Sequence, residues 1–136
     1  MAFAIKAEVK DPAAEIFAFS KQKTMYGGKN ISAGDTVFVF ASENEGGAGL
    51  VAVGVVVWAE RVPLQRGVRR QTPRVSIAVR RMAIAKRDLG RAELKPFTSW
   101  GDGRPQTELN FKFYRQATNK IVGIGDSTAG FLRRFF

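Results

Sequence analysis

The chain has 136 residues, with 22 Lys and Arg against 12 Asp and Glu, no His, no Cys and a formal net charge of +10. Its length suits a single domain spanning residues 1–136, and 45% hydrophobic residues indicate a globular rather than a disordered chain. The absence of Cys and His excludes disulfides, ordinary zinc sites and Ser-His-Asp catalysis, so binding is favoured over chemistry and no metal or cofactor is expected.

The N-terminal segments predict one strand and one helix. Ala2–Val9 alternates apolar and polar side chains, which indicates a half-buried strand. Asp11 and Pro12 are typical of a helix start, with an N-cap followed by proline at the first helical position, so Pro12–Phe19 is predicted to be helical. The polar, glycine-containing segment Ser20–Gly28 is predicted to be a loop.

The centre of the chain is predicted to be rich in strands. Thr36–Phe40 is β-branched and aromatic, Gly49–Glu60 is almost continuously apolar, and Pro73–Ala85 alternates. The apolar run of Gly49–Glu60 predicts that both faces of this strand are covered and that Trp58 belongs to the core. Lys86–Leu94 is predicted to be a short helix or a turn.

The C-terminal region predicts a strand pair and a helix. Leu109–Tyr114 and Lys120–Ile124 are the predicted strands, and Asp126 is the predicted N-cap of a final helix. Six strands with hairpin connections predict an α+β fold: a small mixed five- or six-stranded β-barrel with short helices covering its openings. The longest apolar run, Leu50–Ala59, is too short to span a bilayer, and a cytoplasmic location is expected.

The positive charge lies in the later part of the chain. Residues 1–60 carry a net charge of −2, whereas residues 61–136 carry +12, mostly as Arg. Arg contacts phosphate through paired N–H groups and stacks on bases, so a nucleic-acid partner is favoured over a merely solvated basic face. The candidate phosphate-binding residues are Arg61, Arg66, Arg69, Arg70, Arg74 and Arg80, of which Arg74 and Arg80 share strand parity and are expected on one face.

Two strands carry the pattern of a known superfamily. Ile31–Ser42 contains a Gly-Asp turn followed by a β-rich run that ends in serine, and Gly49–Val56 has glycines at spaced positions. On these residues the chain resembles the PUA-like superfamily, in particular its EVE, YTH and ASCH branches. The resemblance implies a barrel that binds nucleic acid, often with one flipped or modified base in an aromatic pocket. Met25 and Tyr26 replace the tryptophan of the EVE site loop.

A base pocket is expected where aromatic residues lie on glycine-containing loops. Tyr26 offers a stacking face beside glycines that permit close approach, and Trp100 lies on a Gly/Pro-rich loop. The resemblance places the end of the Gly-Asp strand at the border of the pocket. The predicted base-pocket residues are Thr24, Tyr26, Gly27, Ser42, Glu43, Phe97 and Trp100. Each also has an ordinary structural interpretation, as a connection, a hairpin end or a core aromatic.

Three functions remain open. The first is a module that binds RNA or DNA and recognises a single-stranded or flipped base, with modified bases among the candidates. The second is an amidohydrolase acting on acylated nucleosides, because Lys21, Thr24 and Glu60 resemble the site of ASCH-type enzymes, in which a desolvated lysine activates a threonine nucleophile. The glycine and arginine that flank that motif are missing. The third is a protein-interaction domain that uses its barrel edge.

Overall fold

A computed structural model describes residues 2–136, in which six strands close into a barrel. The strands are β1 (Ala2–Ala7), β2 (Ile16–Met25), β3 (Thr36–Ala41), β4 (Gly49–Arg61), β5 (Arg74–Ile84) and β6 (Lys120–Ile124). The helices are α1 (Arg91–Leu94), α2 (Pro105–Phe113) and α3 (Asp126–Arg133), and 3-10 turns form at Gly28–Asn30 and Glu43–Glu45. The order around the barrel is β1-β3-β4-β5-β2-β6, which confirms the predicted small mixed α+β barrel.

Strand β1 organises two apolar layers because both of its faces are buried. It pairs in parallel with β3 and antiparallel with β6. Phe3 and Ile5 point into the barrel interior with Val39 and Ile77. Ala2 and Ala4 point outward into a second layer, which α2 and α3 cover with Leu109, Phe113 and Leu132. Each fully buried large apolar side chain contributes about 1.5–3 kcal/mol, so the helices are held by this outer layer.

The predicted helix over Pro12–Phe19 is wrong, because Ile16–Met25 forms strand β2. The Asp11-Pro12 pair makes only a turn, in which the N–H groups of Ala13 and Ala14 donate to Asp11 oxygens. Phe17 and Phe19 are buried while Ile16 and Ala18 are exposed, which is the period of a strand. Pairing with β5 therefore overrides the local helix-start signal, and the predicted loop after Phe19 continues the strand.

The predicted strand over Leu109–Tyr114 is also wrong, because these residues belong to helix α2 and the tyrosine that follows it. Pro105 occupies the first turn, where its missing N–H costs nothing, and Leu109 and Phe113 meet the outer layer four residues apart. The final helix is present, but Gly125 rather than Asp126 is its N-cap. Within residues 2–136, no helix has the length and apolar character needed to cross a membrane.

Strand β4 is covered on both faces only in its first part. Its pattern changes from buried at Gly49 and Leu50 to largely exposed after Val56. Trp58 is 47% exposed, so the prediction that it belongs to the core is wrong. The run of apolar residues resembles that of a buried strand, but the helices cover a different part of the barrel.

Candidate nucleic-acid interface

The barrel wall is open between β2 and β6. Among the described residues, β6 pairs with β2 at two positions, Thr24 with Ile121 and Met25 with Val122. Residues 16–23 therefore extend beyond the start of β6 and form one wall of an open seam. A strand edge without a partner strand leaves N–H and C=O groups and side chains accessible to a ligand.

Three adjoining hollows follow this seam, and together we call them the seam groove. Their volumes are about 570, 500 and 480 Å³. The first and second hollows share Ser20, Gln22, Glu45 and Asn119. The second and third share Lys21, Lys23 and Arg74. Since adjacent hollows have lining residues in common, they form one continuous surface along β2.

A β-bulge shapes the groove at Lys21. The register of β2 against β5 shifts between Phe19 and Gln22, and Lys21 has φ 51°, a left-handed conformation that is uncommon for a residue with a side chain. Two bonds hold it there: its N–H donates to Ser76 Oγ at 2.9 Å, and Arg74 Nη1 donates to its carbonyl oxygen at 2.7 Å. Such held conformations cluster at functional sites. The bulge places Lys21 and Arg74 where the second and third hollows meet.

Charge changes along the seam groove. The third hollow is lined by Lys21, Lys23 and Arg74 without an acidic residue. The first hollow contains the acidic residues Glu8, Asp11 and Glu45 with a single cation, Lys10. Positive charge is thus concentrated at one end of the groove, and polar and acidic groups lie at the other.

The loop between β4 and β5 extends the cationic end. It carries Arg66, Arg69 and Arg70, all exposed, and Val62–Gln65 from the same loop lines the third hollow. Gln71 closes the loop, because its Nε2 donates to the carbonyl oxygens of Gln65 and Val68. The three predicted arginines therefore lie on the exposed part of the loop, between the segments Val62–Gln65 and Gln71–Thr72 that line the third hollow.

The remaining two predicted phosphate contacts lie elsewhere. Arg61 Nη2 donates to the carbonyl oxygen of Lys29 at 2.9 Å, which fixes its side chain. Arg80 is exposed on the outer face of β5, opposite Ile16 and six residues along the strand from Arg74. The expected shared face of Arg74 and Arg80 is present, since Val75, Ile77 and Val79 are the buried residues between them.

Tyr26, Phe111 and Trp100 form a second feature, which we call the aromatic cluster. The ring centroid of Phe111 lies 6.0 Å from that of Tyr26 and 5.5 Å from that of Trp100. Two hollows of about 290 Å³ flank the cluster, one beside Trp100 and the other beside Tyr26 and Gly27. Tyr26 and Trp100 are each 44% exposed, so the predicted aromatic residues are brought together through a helix residue that the sequence did not single out.

Ser42 and Glu43 lie at the opposite end of the barrel from the aromatic cluster. The N–H of Ser42 donates to the carbonyl oxygen of Ala7, so Ser42 lies level with Ala7 of β1. The N–H of Gly123 donates to the carbonyl oxygen of Tyr26, and Gly123 pairs with Phe3, so Tyr26 lies level with Phe3 of β1. Four residues of β1 separate these levels, roughly 13 Å at about 3.3 Å per residue. The structure therefore does not bring Ser42 to Tyr26 and Trp100, as a common pocket requires.

Several other predicted pocket residues have structural partners. Thr24 is buried, and its hydroxyl donates to the carbonyl oxygen of Pro73 at 2.7 Å. Glu43 accepts the N–H of Arg91 at 2.6 Å and the hydroxyl of Tyr114 at 3.0 Å. Phe97 is half-buried, and its carbonyl oxygen accepts from the side chain of Asn110.

The residues of the alternative enzyme site lie on different faces of the wall. Thr24 is opposite Ile121, which belongs to the interior layer. Glu60 is opposite Ser76, on the outer side of β5. Lys21 follows the bulge and contacts Ser76 through its backbone. The structure does not bring the threonine hydroxyl and the Glu60 carboxylate to one site.

Two buried lysines were not anticipated, because the alternation in β1 predicts an exposed Lys6. Lys6 is 0% exposed, and its Nζ donates to the carbonyl oxygens of Phe113 and Ala117 after the end of α2. Burial, helped by the nearby charge of Lys120, lowers the pKa of Lys6 from 10.5 to about 8. Burial likewise lowers the pKa of Lys120, whose Nζ donates to Gln116. These ammonium groups satisfy carbonyls at a helix C-terminus.

The closed six-stranded mixed barrel with short helices confirms the predicted fold, and solved structures of low sequence identity share it. The DUF55 domain of human thymocyte nuclear protein 1 superposes with a TM-score of 0.64 at 14% identity, over 97% of this chain and 96% of that chain. Human THYN1 in complex with DNA containing 5-methylcytosine gives 0.62 at 15% identity, over 96% and 94%. A protein from Pseudomonas putida gives 0.61 at 12% identity, over 99% of each chain. No protein-family model and no curated protein matches the sequence.

The buried Lys6 predicts a pH-dependent stability. Its pKa is about 8 in the folded chain, against an ordinary 10.5 in the unfolded chain. Between these values the unfolded state holds a proton that the folded state has released, so the free energy of unfolding rises with pH through this window. Urea unfolding between about pH 7.5 and 9.5 should show a smaller rise for Lys6→Met than for the wild type. The rise that remains comes from Lys120, whose pKa burial also lowers. The range stops there because the raised pKa of Tyr114, caused by burial and Glu43, acts in the opposite direction at higher pH.

Lys95→Met is the matched control, because it removes the same charge from an exposed position at the end of α1. It should retain the wild-type slope of stability against pH. If Lys6→Met and Lys95→Met show equal slopes, burial does not lower the pKa of Lys6.

Proposed function

We propose that the chain is a non-catalytic module that binds a single strand or a flipped-out nucleotide of RNA or DNA. The seam groove holds the sugar-phosphate backbone, and the aromatic cluster stacks on a base. The observation that carries this proposal is the position of Lys21, Lys23 and Arg74, which line both the second and the third hollows. Three cations on one continuous concave surface form an attractive site for successive phosphates.

The loop arginines also favour phosphate binding at the cationic end of the seam groove. Arg66, Arg69 and Arg70 are exposed on the loop whose flanking residues line the cationic end, and the proposal assigns them to the phosphates of a strand that enters there. The acidic residues of the first hollow repel phosphate, which leaves that end for uncharged parts of a nucleotide. Glu45 and Asn119 lie where the first two hollows meet. Asn119 Nδ2 donates to Glu45 Oε1, which leaves the amide oxygen of Asn119 and the second carboxylate oxygen of Glu45 to accept from a base edge.

The aromatic cluster is suited to a base rather than to a cation. Lys112 Nζ lies 5.2 Å from the ring centroid of Tyr26, and the guanidinium carbon of Arg115 lies 5.5 Å from that of Trp100. Lys112 is paired with Glu108, so Arg115 is the charge that would attract a phosphate next to a stacked base. Tyr26 follows the end of β2, three residues beyond Lys23 and roughly 10 Å along the strand direction. One strand can therefore reach both the groove and the cluster.

The structural comparison supports the class of ligand. Human THYN1, whose fold this chain shares, forms a complex with DNA that contains 5-methylcytosine. The proposal extends nucleic-acid binding to this chain, with a modified base among the bases to be tested. It assigns Arg74 and the loop arginines to phosphate, and Tyr26 and Trp100 to the base.

Removing two groove cations should reduce the salt dependence of binding. Each phosphate contact to a single strand contributes about 0.7 to the slope of log K against log salt, so Lys21→Gln/Lys23→Gln should lower the slope by roughly 1.4. Affinity at low salt should fall by about tenfold or more. Fluorescence anisotropy with short fluorescent RNA and DNA oligonucleotides, with and without modified bases, measures both quantities.

The matched control is Lys95→Gln/Arg134→Gln, which removes two exposed charges at the ends of helices α1 and α3. It should leave the slope close to that of the wild type. Absence of wild-type binding at low salt, or equal slopes for the two double variants, would contradict the proposed groove.

Loss of the Trp100 ring should weaken binding without changing its salt dependence. Stacking of one base on an aromatic side chain contributes about 1–3 kcal/mol, so Trp100→Ala should bind about 5–150-fold more weakly. Trp100→Phe keeps a stacking face and should retain much of the affinity. The same anisotropy titration measures these affinities. An unchanged affinity for Trp100→Ala would contradict the proposal that a base stacks on the aromatic cluster.

A further inference from the structure

The outer face of β2, β4 and β5 lies away from the helices, which pack on the layer over β1 and β3. At its centre Trp58 of β4 is opposite Ala78 of β5, which in turn is opposite Ala18 of β2. Both alanine side chains are small, so they leave the Trp58 side chain accessible from the outer face. We call this surface the Trp58 face.

The Trp58 face is unusually apolar for an exposed surface. Val57 is 44% exposed and directly precedes Trp58 at a register shift of β4. Ile16 is 51% exposed and lies two strands away on β2, two residues before Ala18. Exposed contiguous apolar surface on a folded domain marks interaction sites more often than solvent contact. The apolar character of this face therefore indicates an interaction site.

Two opposite charges flank the tryptophan on this face. Arg80 lies two residues beyond Ala78 on β5, and Glu60 lies two residues beyond Trp58 on β4. Since β4 and β5 are antiparallel, Arg80 and Glu60 lie on opposite sides of the Trp58–Ala78 row. Each is exposed.

This charge pattern favours a protein partner over nucleic acid. Glu60 beside Trp58 repels phosphate, in contrast to the third hollow, whose lining has no acidic residue. Arg80 and Glu60 cancel in charge, although the chain as a whole carries +10. Two copies of this basic chain would repel through most other surfaces, whereas the locally neutral Trp58 face lets them approach.

We propose that the Trp58 face is an isologous interface between two copies of this chain. A two-fold axis along the Trp58–Ala78 row would place the Trp58 side chains of the two copies against each other. The same rotation brings Arg80 of one copy over Ser76 on β5 of the other copy. Glu60 of that other copy is opposite Ser76 on the neighbouring strand β4. Neighbouring strands are about 4.8 Å apart, so an arginine side chain spans this offset and two symmetric ion pairs form.

The interface leaves the cationic end of the proposed nucleic-acid surface free. Ile16 and Ala18 of the Trp58 face also line the first hollow of the seam groove, whereas the third hollow, lined by Lys21, Lys23 and Arg74, contains no residue of this face. A dimer would therefore present two cationic groove ends. The inference does not depend on what those grooves bind, because it uses none of their cations.

A charge-swap cycle tests the interface. Sedimentation equilibrium over roughly 1–200 µM protein should show a wild-type dimer, and both Arg80→Glu and Glu60→Arg should weaken dimerisation by about tenfold or more. The Arg80→Glu/Glu60→Arg double variant should restore dimerisation to within about threefold of the wild type, because the ion pair is re-formed with reversed polarity. Arg134→Glu, an exposed swap on α3, is the control and should dimerise like the wild type.

Other outcomes would overturn the interface. A wild-type chain that stays monomeric over this range would do so, as would a double variant that stays as weak as the single variants. Trp58→Ala should weaken dimerisation; if it instead lowers oligonucleotide affinity while the dimer persists, the face belongs to nucleic acid. Thermal unfolding of each variant establishes that it is folded, and the rescue in the double variant is readable even if one single variant is less stable.

Discussion

The short contact between β2 and β6 is the constraint on which the rest of the structure depends. Two residue pairs, Thr24 with Ile121 and Met25 with Val122, close the barrel. They are enough to enclose the interior apolar layer, yet they leave residues 16–23 of β2 without β6 as a partner. The same pairing therefore makes the fold closed and the groove open. A longer β6 would complete the wall and remove the surface on which the proposed function depends.

The bulge at Lys21 places positive charge at the opening between β2 and β6. Its left-handed backbone is held by Ser76 and Arg74, so Arg74 both supports the bulge and contributes charge to the groove. The buried Lys6 and Lys120 bond carbonyl oxygens at and just after the end of α2, next to the second hollow, and keep that helix against β1. The net charge of +10 thus divides into structural lysines, groove cations and loop arginines with different surroundings.

Much of the fold could be predicted from the sequence, because β3, β5 and β6 have β-branched or alternating patterns that match their burial. The patterns of β1 and β4 predicted strands correctly but gave the wrong exposure for Lys6 and Trp58. The errors arose where the local sequence pattern and the tertiary strand pairing favour different secondary structures. Asp11-Pro12 is a genuine local helix-start pattern, but pairing with β5 made the following residues a strand. The groove could not be predicted, since the bulge at Lys21 and the length of β6 have no sequence pattern of their own. Tyr26 and Trp100 could be proposed as neighbours, whereas Ser42 could not be placed without the strand order.

The most direct test of the central claim is a map of backbone amide chemical shifts during titration with a short single-stranded oligonucleotide. The account predicts that the largest changes fall on residues 16–26 of β2 and its continuation, on the loop before β5, and on residues 117–119, with a smaller set around Trp100 and Phe111. Changes concentrated on the Trp58 face, or shifts too small to define any surface at saturating oligonucleotide, would contradict the assignment of the seam groove as the nucleic-acid interface.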